Sequence, residues 1–197
     1  MKQAGKHVGL FGGTFDPVHI GHIIIADLVA DCARLDTVVF IPSARPPHKN
    51  AKELMFSAEQ RFAMLEQSVA GDPRFTVSDI EMRRTGPSYT IDTIREMKRS
   101  LPPDTDFRFI VGMDNLYEIS MWKSPREIVR ECSIIAARRE CDAKGVLPDW
   151  LMEHVEIVDV PLIGVSSSDI RQRIREGRSI RYLVPGPVLE AVGLSGR

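Results

Sequence analysis

The chain alternates between short, almost continuously apolar runs and longer segments with the periodicity of amphipathic helices. Runs rich in Val, Ile and Phe predict buried strands at residues 8–11, 37–41, 107–111, 133–137 and 155–160. Residues 75–80 fit the same pattern less well. Continuous rather than alternating apolar runs are typical of strands that are covered on both faces, as in a parallel sheet.

Helical patterns fill the intervals between these runs. The first helix is predicted by an apolar stripe at steps of four and three residues, formed by Ile20, Ile24, Leu28, Cys32 and Leu35. A capping box at Ser57 and Gln60 predicts the start of a second helix, and a third runs from about residue 90 to 100. We therefore predict a doubly wound, Rossmann-like α/β fold with helices on both faces of a parallel sheet. We interpret residues 1–197 as one domain with a small C-terminal helical portion from about residue 166.

The composition narrows the classes of partner. The 197 residues contain 26 Lys and Arg against 27 Asp and Glu, so the chain lacks the positive field that non-specific nucleic-acid binding needs. No apolar stretch approaches the roughly 18 residues of a membrane span, and no signal-peptide core precedes the first strand. The three cysteines form no C-x-x-C pair, which argues against a disulfide framework or a thiolate zinc site. We expect a cytoplasmic protein that binds neither nucleic acid nor membranes, and whether it forms a homo-oligomer stays open.

The first strand leads into a loop, residues 12–22, whose residue types suit phosphate. Gly12 and Gly13 allow a positive φ and a close approach of the backbone to a ligand. The following helix start offers free N–H groups, and a spacing of three places His19 and His22 on one helical face. Neither a G-x-G-x-x-G nor a Walker A motif is present. Alternatives are a tight turn with two surface histidines, or a zinc pair, although zinc histidines on a helix usually stand four residues apart.

A second candidate phosphate site begins at residue 166. Ser166 reads as an N-cap and Asp169 as the residue that closes a capping box. The hydroxyls of Ser167 and Ser168, free helix N–H groups and Arg171 one turn later are all suited to one anion. The motif alone is equally compatible with a well-capped surface helix.

These two motifs together resemble the nucleotidylyltransferase superfamily. The first is Gly-Gly-Thr-Phe-Asp-Pro-x-His-x-Gly-His, and the second is Ser-Ser-x-Asp-Ile-Arg. Intervening segments are similar to those of bacterial nicotinate-nucleotide adenylyltransferases: residues 46–49, 88–93, 112–114 with the downstream Trp122, and 178–185. The match follows the chain in order over nearly its whole length.

The resemblance implies roles for individual residues. The implied catalytic residues, around the ATP phosphates, are His19, His22, Lys49 and Arg171. The implied ATP-binding residues are Gly12, Gly13, Thr14, Phe15, His19, His22, Gly112, Asp114, Ser167, Ser168 and Arg171. The implied acceptor-binding residues are Asp16, Lys49, Tyr89, Thr90 and Trp122. Trp122 is expected to stack on a pyridine ring whose carboxylate meets the backbone at Tyr89 and Thr90. Some relatives have a second aromatic residue after the tryptophan, where this chain has Lys123.

The implied reaction joins nicotinate mononucleotide to the α-phosphorus of ATP and yields deamido-NAD and pyrophosphate, a step of NAD biosynthesis. The attacking phosphate monoester has a second pKa of about 6 and is mostly a dianion at pH 7. It has no proton to lose, so no strong general base is needed. No side chain is predicted as a metal ligand, and Mg²⁺ is expected to arrive on the triphosphate.

The middle motifs each have a purely structural interpretation. Asp114 is compatible with the cap of a short helix, and Trp122 with a core position. Arg138 and Arg139, at the end of a predicted strand, are interpreted as a surface pair.

Three other functions compete with this interpretation. His-x-x-His is also found in class I aminoacyl-tRNA synthetases, but their lysine-rich loop is missing here and 197 residues leave no room for a tRNA-binding portion. A different acceptor, such as nicotinamide mononucleotide or phosphopantetheine, is a closer rival. A non-catalytic nucleotide-binding module could dispense with His22 and Arg171.

Overall fold

The computed structural model describes residues 6–47, 53–139 and 145–194. The predicted catalytic residue Lys49 lies outside the described residues. The strands are β1 (His7–Gly13), β2 (Thr37–Pro42), β3 (Phe75–Val77), β4 (Asp106–Gly112), β5 (Ser133–Arg139) and β6 (Val155–Val160). The helices are α1 (Ile20–Cys32), α2 (Ala58–Val69), α3 (Thr90–Ser100), α4 (Met113–Tyr117), α5 (Pro125–Glu131), α6 (Asp149–Met152), α7 (Ser167–Arg175) and α8 (Gly186–Ala191).

Within the described ranges, the six strands form one parallel sheet in the order β3-β2-β1-β4-β5-β6. This is the strand order of a Rossmann-type sheet, which confirms the predicted fold. The order reverses between β1 and β4, so the crevice at their carboxyl ends is where such a fold binds ligands. Two hydrophobic cores cover the two faces. One is built around Phe40 and Leu65 with α1, α2, α7 and α8, and the other around Ile94 and Ile134 with α3 to α6.

Three local predictions need correction. The run at 75–80 yields a strand of only three residues, because after Val77 the chain turns at Asp79, whose carbonyl accepts the N–H of Met82. Leu35 lies beyond α1, which ends at Cys32, but it is still buried in the core. At the start of α7, Ser166 does accept the N–H of Asp169. The Asp169 carboxylate, however, binds Arg173 at 2.9 Å instead of closing a capping box.

A fully buried arginine joins α2 to the loop between β1 and α1. The side chain of Arg61 is 0% exposed. Its guanidinium donates to the carbonyl oxygens of Thr14 at 2.6 Å, Phe56 at 3.3 Å and Ala44 at 3.5 Å. Burial lowers the pKa of Arg61, although the nearby Asp16 acts in the opposite direction. Arg61 thus satisfies backbone acceptors of three separate segments beneath the crevice.

We expect Arg61→Met to lower the free energy of unfolding by about 3 kcal/mol, because it leaves buried carbonyl oxygens without their donor and removes a cation near the buried Asp16 carboxylate. Urea unfolding followed by circular dichroism measures this. The matched control is Arg83→Met, which removes an exposed guanidinium bound to Asp79 and should cost less than about 1 kcal/mol. Equal losses in the two variants would contradict a structural role for Arg61.

Candidate active site

A cavity of about 600 Å³ opens at the carboxyl ends of β1 and β4. Its lining includes most of the predicted site residues: Gly12, Gly13, Thr14, Phe15, His19, His22, Tyr89, Thr90, Gly112, Asp114, Trp122 and Ser167. Asp16, Ser168 and Arg171 do not belong to this lining. The structure therefore brings the loop after β1, the start of α7 and the motifs between them in sequence to one cavity.

Close packing against neighbouring rings explains why glycines stand at positions 12 and 13. Gly12 and Gly13 are the last residues of β1, in register with Ile41 and Pro42 of β2. The expected positive φ falls on Phe15 instead, at 49°. A Cβ on Gly13 would lie 2.8 Å from the Phe15 ring, so a side chain there would displace the ring.

Phe15 supports one of the two histidines. Its ring is 2% exposed and meets the ring of His22 edge-on, with the centroids 4.9 Å apart. On the other side, Phe15 packs against Phe11 and Phe40 in the core beneath the sheet crevice. The position of His22 is therefore fixed by an aromatic cluster.

His19 and His22 stack on each other at the start of α1. Their ring centroids are 3.6 Å apart and the planes are inclined by 25°. His19 is the N-cap residue, and its backbone N–H donates to Nδ1 of His22 at 3.2 Å. A neutral ring whose Nδ1 accepts a hydrogen bond carries its proton on Nε2, which is then a donor.

Both imidazoles are uncharged in the free protein at neutral pH. Burial lowers the pKa of His19 from 6.5 to about 4. Burial, together with the neighbouring His19, holds the pKa of His22 well below its usual value. The two rings therefore supply hydrogen-bond donors rather than positive charge in the free protein, because a charged pair so close together and so poorly solvated is unfavourable.

Asp16 uses its carboxylate inside the protein. The residue is 1% exposed, and its two oxygens accept the backbone N–H groups of Met55 and Phe56, each at 3.0 Å. These bonds hold the segment before α2 against the β1–α1 loop. In this structure the carboxylate anchors the loop from behind the cavity lining.

The start of α7 is fastened to the same loop. Arg171 donates through Nη1 to the backbone carbonyl of Asp16 at 2.7 Å and through Nη2 to the hydroxyl of Ser168 at 3.1 Å. The Ser167 hydroxyl donates to the carbonyl of Pro17 at 3.0 Å. The N-terminus of α7 and the N-terminus of α1 thus approach the same end of the cavity.

The ends of β4 and β5 together contribute an ion pair to the lining. Arg139 lies 3.1 Å from the carboxylate of Asp114, and the other carboxylate oxygen accepts the N–H of Asn115 in the first turn of α4. Arg138 instead binds Asp159, with both side chains exposed. The expectation of a surface pair thus holds for Arg138, whereas Arg139 lines the cavity.

The opposite end of the cavity combines an aromatic ring with a helix start. Trp122 is half-buried, and its ring meets Phe109 edge-on at 6.2 Å. Tyr89 is the N-cap residue of α3 and Thr90 its first residue. The first N–H groups of a helix have no acceptor within the helix, so they are available to an anion.

Sequence reasoning missed two buried charged residues near the site, Arg61 and Glu81. Glu81 is 6% exposed, lines the cavity and accepts the Thr93 hydroxyl at 2.6 Å. Arg61 could have been noticed, because it lies on the same helical stripe as the apolar Met64 and Leu65. Nothing comparable marks Glu81, which lies in a turn between β3 and α3.

Within the described ranges, none of the helices is both long and apolar enough to cross a lipid bilayer. The same residues contain no group of three or more His, Cys, Asp and Glu side chains placed to hold a metal ion.

Known structures share this fold. Over 96% of the chain it matches a structure of Plasmodium falciparum nicotinic acid mononucleotide adenylyltransferase, complexed with NaAD, with a TM-score of 0.76 at 17% identity and 97% coverage of that protein. A Vibrio parahaemolyticus structure, described as a putative nicotinate-nucleotide adenylyltransferase, matches with a TM-score of 0.67 at 19% identity, over 95% of this chain and 98% of that one. At these identities the likeness concerns the fold alone.

Relatives of higher sequence identity define the family. Residues 10–173 match the cytidylyltransferase-like family model. A protein of Thermus thermophilus, named probable nicotinate-nucleotide adenylyltransferase, is 42% identical over 185 residues, which cover 92% of this chain and 93% of the relative. A protein of the same name from Lachnoclostridium phytofermentans is 37% identical over 190 residues, covering 93% and 94%. The resemblance seen in the motifs is thereby confirmed, and the chain belongs to the cytidylyltransferase-like family and, within it, to the nicotinate-nucleotide adenylyltransferases.

Proposed function

We propose that this protein transfers the adenylyl group of ATP to the 5′-phosphate of nicotinate mononucleotide and releases pyrophosphate and deamido-NAD. The observation that carries the proposal is one cavity with two different ends. At one end the stacked His19 and His22 and the N-terminus of α7 offer donors to phosphates. At the other, Trp122 stands beside the N-terminus of α3. The names of the relatives, at 37–42% identity over most of the chain, support the same reaction.

The triphosphate of ATP belongs, in this proposal, at the end formed by α1 and α7. His22 offers Nε2–H as a donor, and the first N–H groups of α7 add uncharged donors there. At the start of α1, by contrast, the N–H of Ile20 is taken by the Leu183 carbonyl. The proposal assigns the positive charge to Arg171, which lies just outside the lining and whose Nη1 is 2.7 Å from the carbonyl oxygen of Asp16. The adenosine is assigned to the part of the lining around Gly112 and the Asp114–Arg139 pair, where the absent side chain of Gly112 lets the Asp114 carboxylate pack against the backbone.

The reaction needs positioning and charge stabilisation rather than a base. An oxygen of the acceptor's phosphate attacks the α-phosphorus of ATP. The bond between that phosphorus and the oxygen that joins it to the β-phosphorus breaks. Pyrophosphate leaves with the electron pair, and no proton has to move in this step. The hydrogen-bond donors of the cavity and the guanidinium of Arg171 stabilise the negative charge that develops on the leaving pyrophosphate.

Magnesium enters this proposal as part of the substrate, MgATP. Mg²⁺ commonly keeps phosphate oxygens and waters as ligands, so it does not require a cage of protein side chains. We further propose that residues 1–197 act as one domain in the cytoplasm, a placement that the free thiols of Cys32 and Cys132 support.

The acceptor is tested directly by following pyrophosphate from MgATP with nicotinate mononucleotide, nicotinamide mononucleotide or phosphopantetheine. We expect kcat/KM for nicotinate mononucleotide to exceed that for nicotinamide mononucleotide at least tenfold. An anion at a partly buried helix start gains up to about 2 kcal/mol, whereas an amide sets its own donors against the N–H groups. Trp122→Ala should raise KM for the pyridine acceptors far more than for ATP. Equal use of all acceptors would contradict the proposal.

His22→Ala is expected to lower kcat by about 10²–10³-fold, a typical loss for one pre-positioned donor to a developing charge. Steady-state kinetics and thermal unfolding of the same sample separate loss of function from loss of fold. His154→Ala is the matched control, since His154 is a partly exposed histidine beside Glu153, shortly after the end of α6. A folded His22→Ala protein with the turnover of the control would remove His22 from the mechanism.

Arg171→Lys is expected to slow the single-turnover rate about 10- to 100-fold, although the charge is kept. A guanidinium can donate to the carbonyl of the β1–α1 loop through one nitrogen and still donate to phosphate oxygens through its other N–H groups. A lysine ammonium cannot reproduce this planar set of donors. Arg175→Lys, at an exposed position on the last turn of α7, serves as the control. If both variants matched the parent, α7 would be better explained as a capped surface helix.

A further inference from the structure

Lys123 occupies an unusual position at the acceptor end of the cavity. It directly follows Trp122, and its ammonium lies 2.9 Å from the carboxylate of Asp92. The same ammonium stands 4.5 Å from the centroid of the Tyr89 ring. Lys123 therefore links the segment that carries the tryptophan to the first turn of α3.

Asp92 poses an electrostatic problem for the proposed acceptor. It is the third residue of α3 and lies outside the cavity lining, but it belongs to the same helical turn as Thr90, which lines the cavity. A carboxylate there stabilises the helix, but it also repels a second carboxylate brought to the same helix start. The nicotinate ring brings such a carboxylate.

Two carboxylates of the cavity lining have their own counterions, whereas the exposed Glu118 adds a further negative charge to the lining. Asp114 lies 3.1 Å from Arg139, and Glu81 lies 3.9 Å from Arg84. Among the residues that the structure describes, Lys123 is the cation in contact with Asp92. Loss of its charge would thus leave a net negative charge at this end of the cavity.

We propose that Lys123 determines the preference of this chain for a negatively charged pyridine ring, by neutralising Asp92 and by holding Trp122 and the start of α3 together. The inference rests on the proposed function, since it assumes that the acceptor's carboxylate lies near Tyr89 and Thr90. In place of a second aromatic contact, the chain provides an ammonium that also packs on an aromatic ring.

The test is the acceptor selectivity of Lys123→Gln, which keeps the side chain polar and removes the charge. With saturating MgATP, we expect kcat/KM for nicotinate mononucleotide to fall about five- to tenfold, mainly through KM, because both side chains are partly exposed and their effect is screened. The value for nicotinamide mononucleotide should stay within about twofold, as should KM for ATP. Lys98→Gln is the control, since Lys98 forms a similar ion pair with Glu131 at the other end of α3.

A second variant distinguishes the effect of the Lys123 charge from its structural role in joining the Trp122 segment to α3. In Asp92→Asn/Lys123→Gln the repulsion is gone as well, so most of the lost efficiency with nicotinate mononucleotide should return. Equal losses for both acceptors, without recovery in the double variant, would overturn the inference and leave Lys123 as a structural tie. Unchanged acceptor selectivity in Lys123→Gln would also overturn the inference. In either case the proposed function would still stand if the unaltered protein makes deamido-NAD. A parent that uses neither pyridine acceptor would overturn the proposed function and this inference together.

Discussion

The active cavity depends on the hydrogen bonds that hold the loop between β1 and α1 from behind. The buried carboxylate of Asp16 accepts two N–H groups from the segment before α2, while Arg61 donates to the Thr14 carbonyl. Arg171 and Ser167 of α7 donate to the carbonyls of Asp16 and Pro17. Segments distant in sequence thus converge on one short loop. A loop fixed in this way can present its histidines without reorganising when a substrate arrives.

Uncharged imidazoles change how this site can stabilise a transition state. Because burial lowers the pKa of His19 to about 4, the pair offers hydrogen bonds, and the proposed mechanism takes positive charge from Arg171 among the described residues. A donor whose tautomer is fixed, as for His22, needs no proton rearrangement during the reaction. This suits a reaction whose nucleophile is already an anion and whose leaving group gathers charge.

Local patterns predicted the fold, and most of the predicted site residues lie in the cavity lining, because strand order and loop position place the relevant motifs at one edge of the sheet. Other features depend on contacts between distant parts of the chain. The neutrality of His19 and His22 results from tertiary burial, which no spacing reveals. The pairing of Arg171 with the Asp16 carbonyl joins residues 155 positions apart, and that of Lys123 with Asp92 joins residues 31 apart. Sequence reasoning can thus name a charged residue such as Arg171, but it could not find the distant partner to which that residue binds.

The central claim, that the α-phosphorus of ATP is the atom attacked, is tested most directly by positional labelling. ATP carrying a labelled α-phosphate and, separately, ATP carrying a labelled γ-phosphate are incubated with the protein, Mg²⁺ and nicotinate mononucleotide, and the products are separated. The account predicts that the α-label appears in deamido-NAD and the γ-label in pyrophosphate, in equal amounts. Transfer of the γ-label to the acceptor, or release of inorganic phosphate without a dinucleotide, would contradict it.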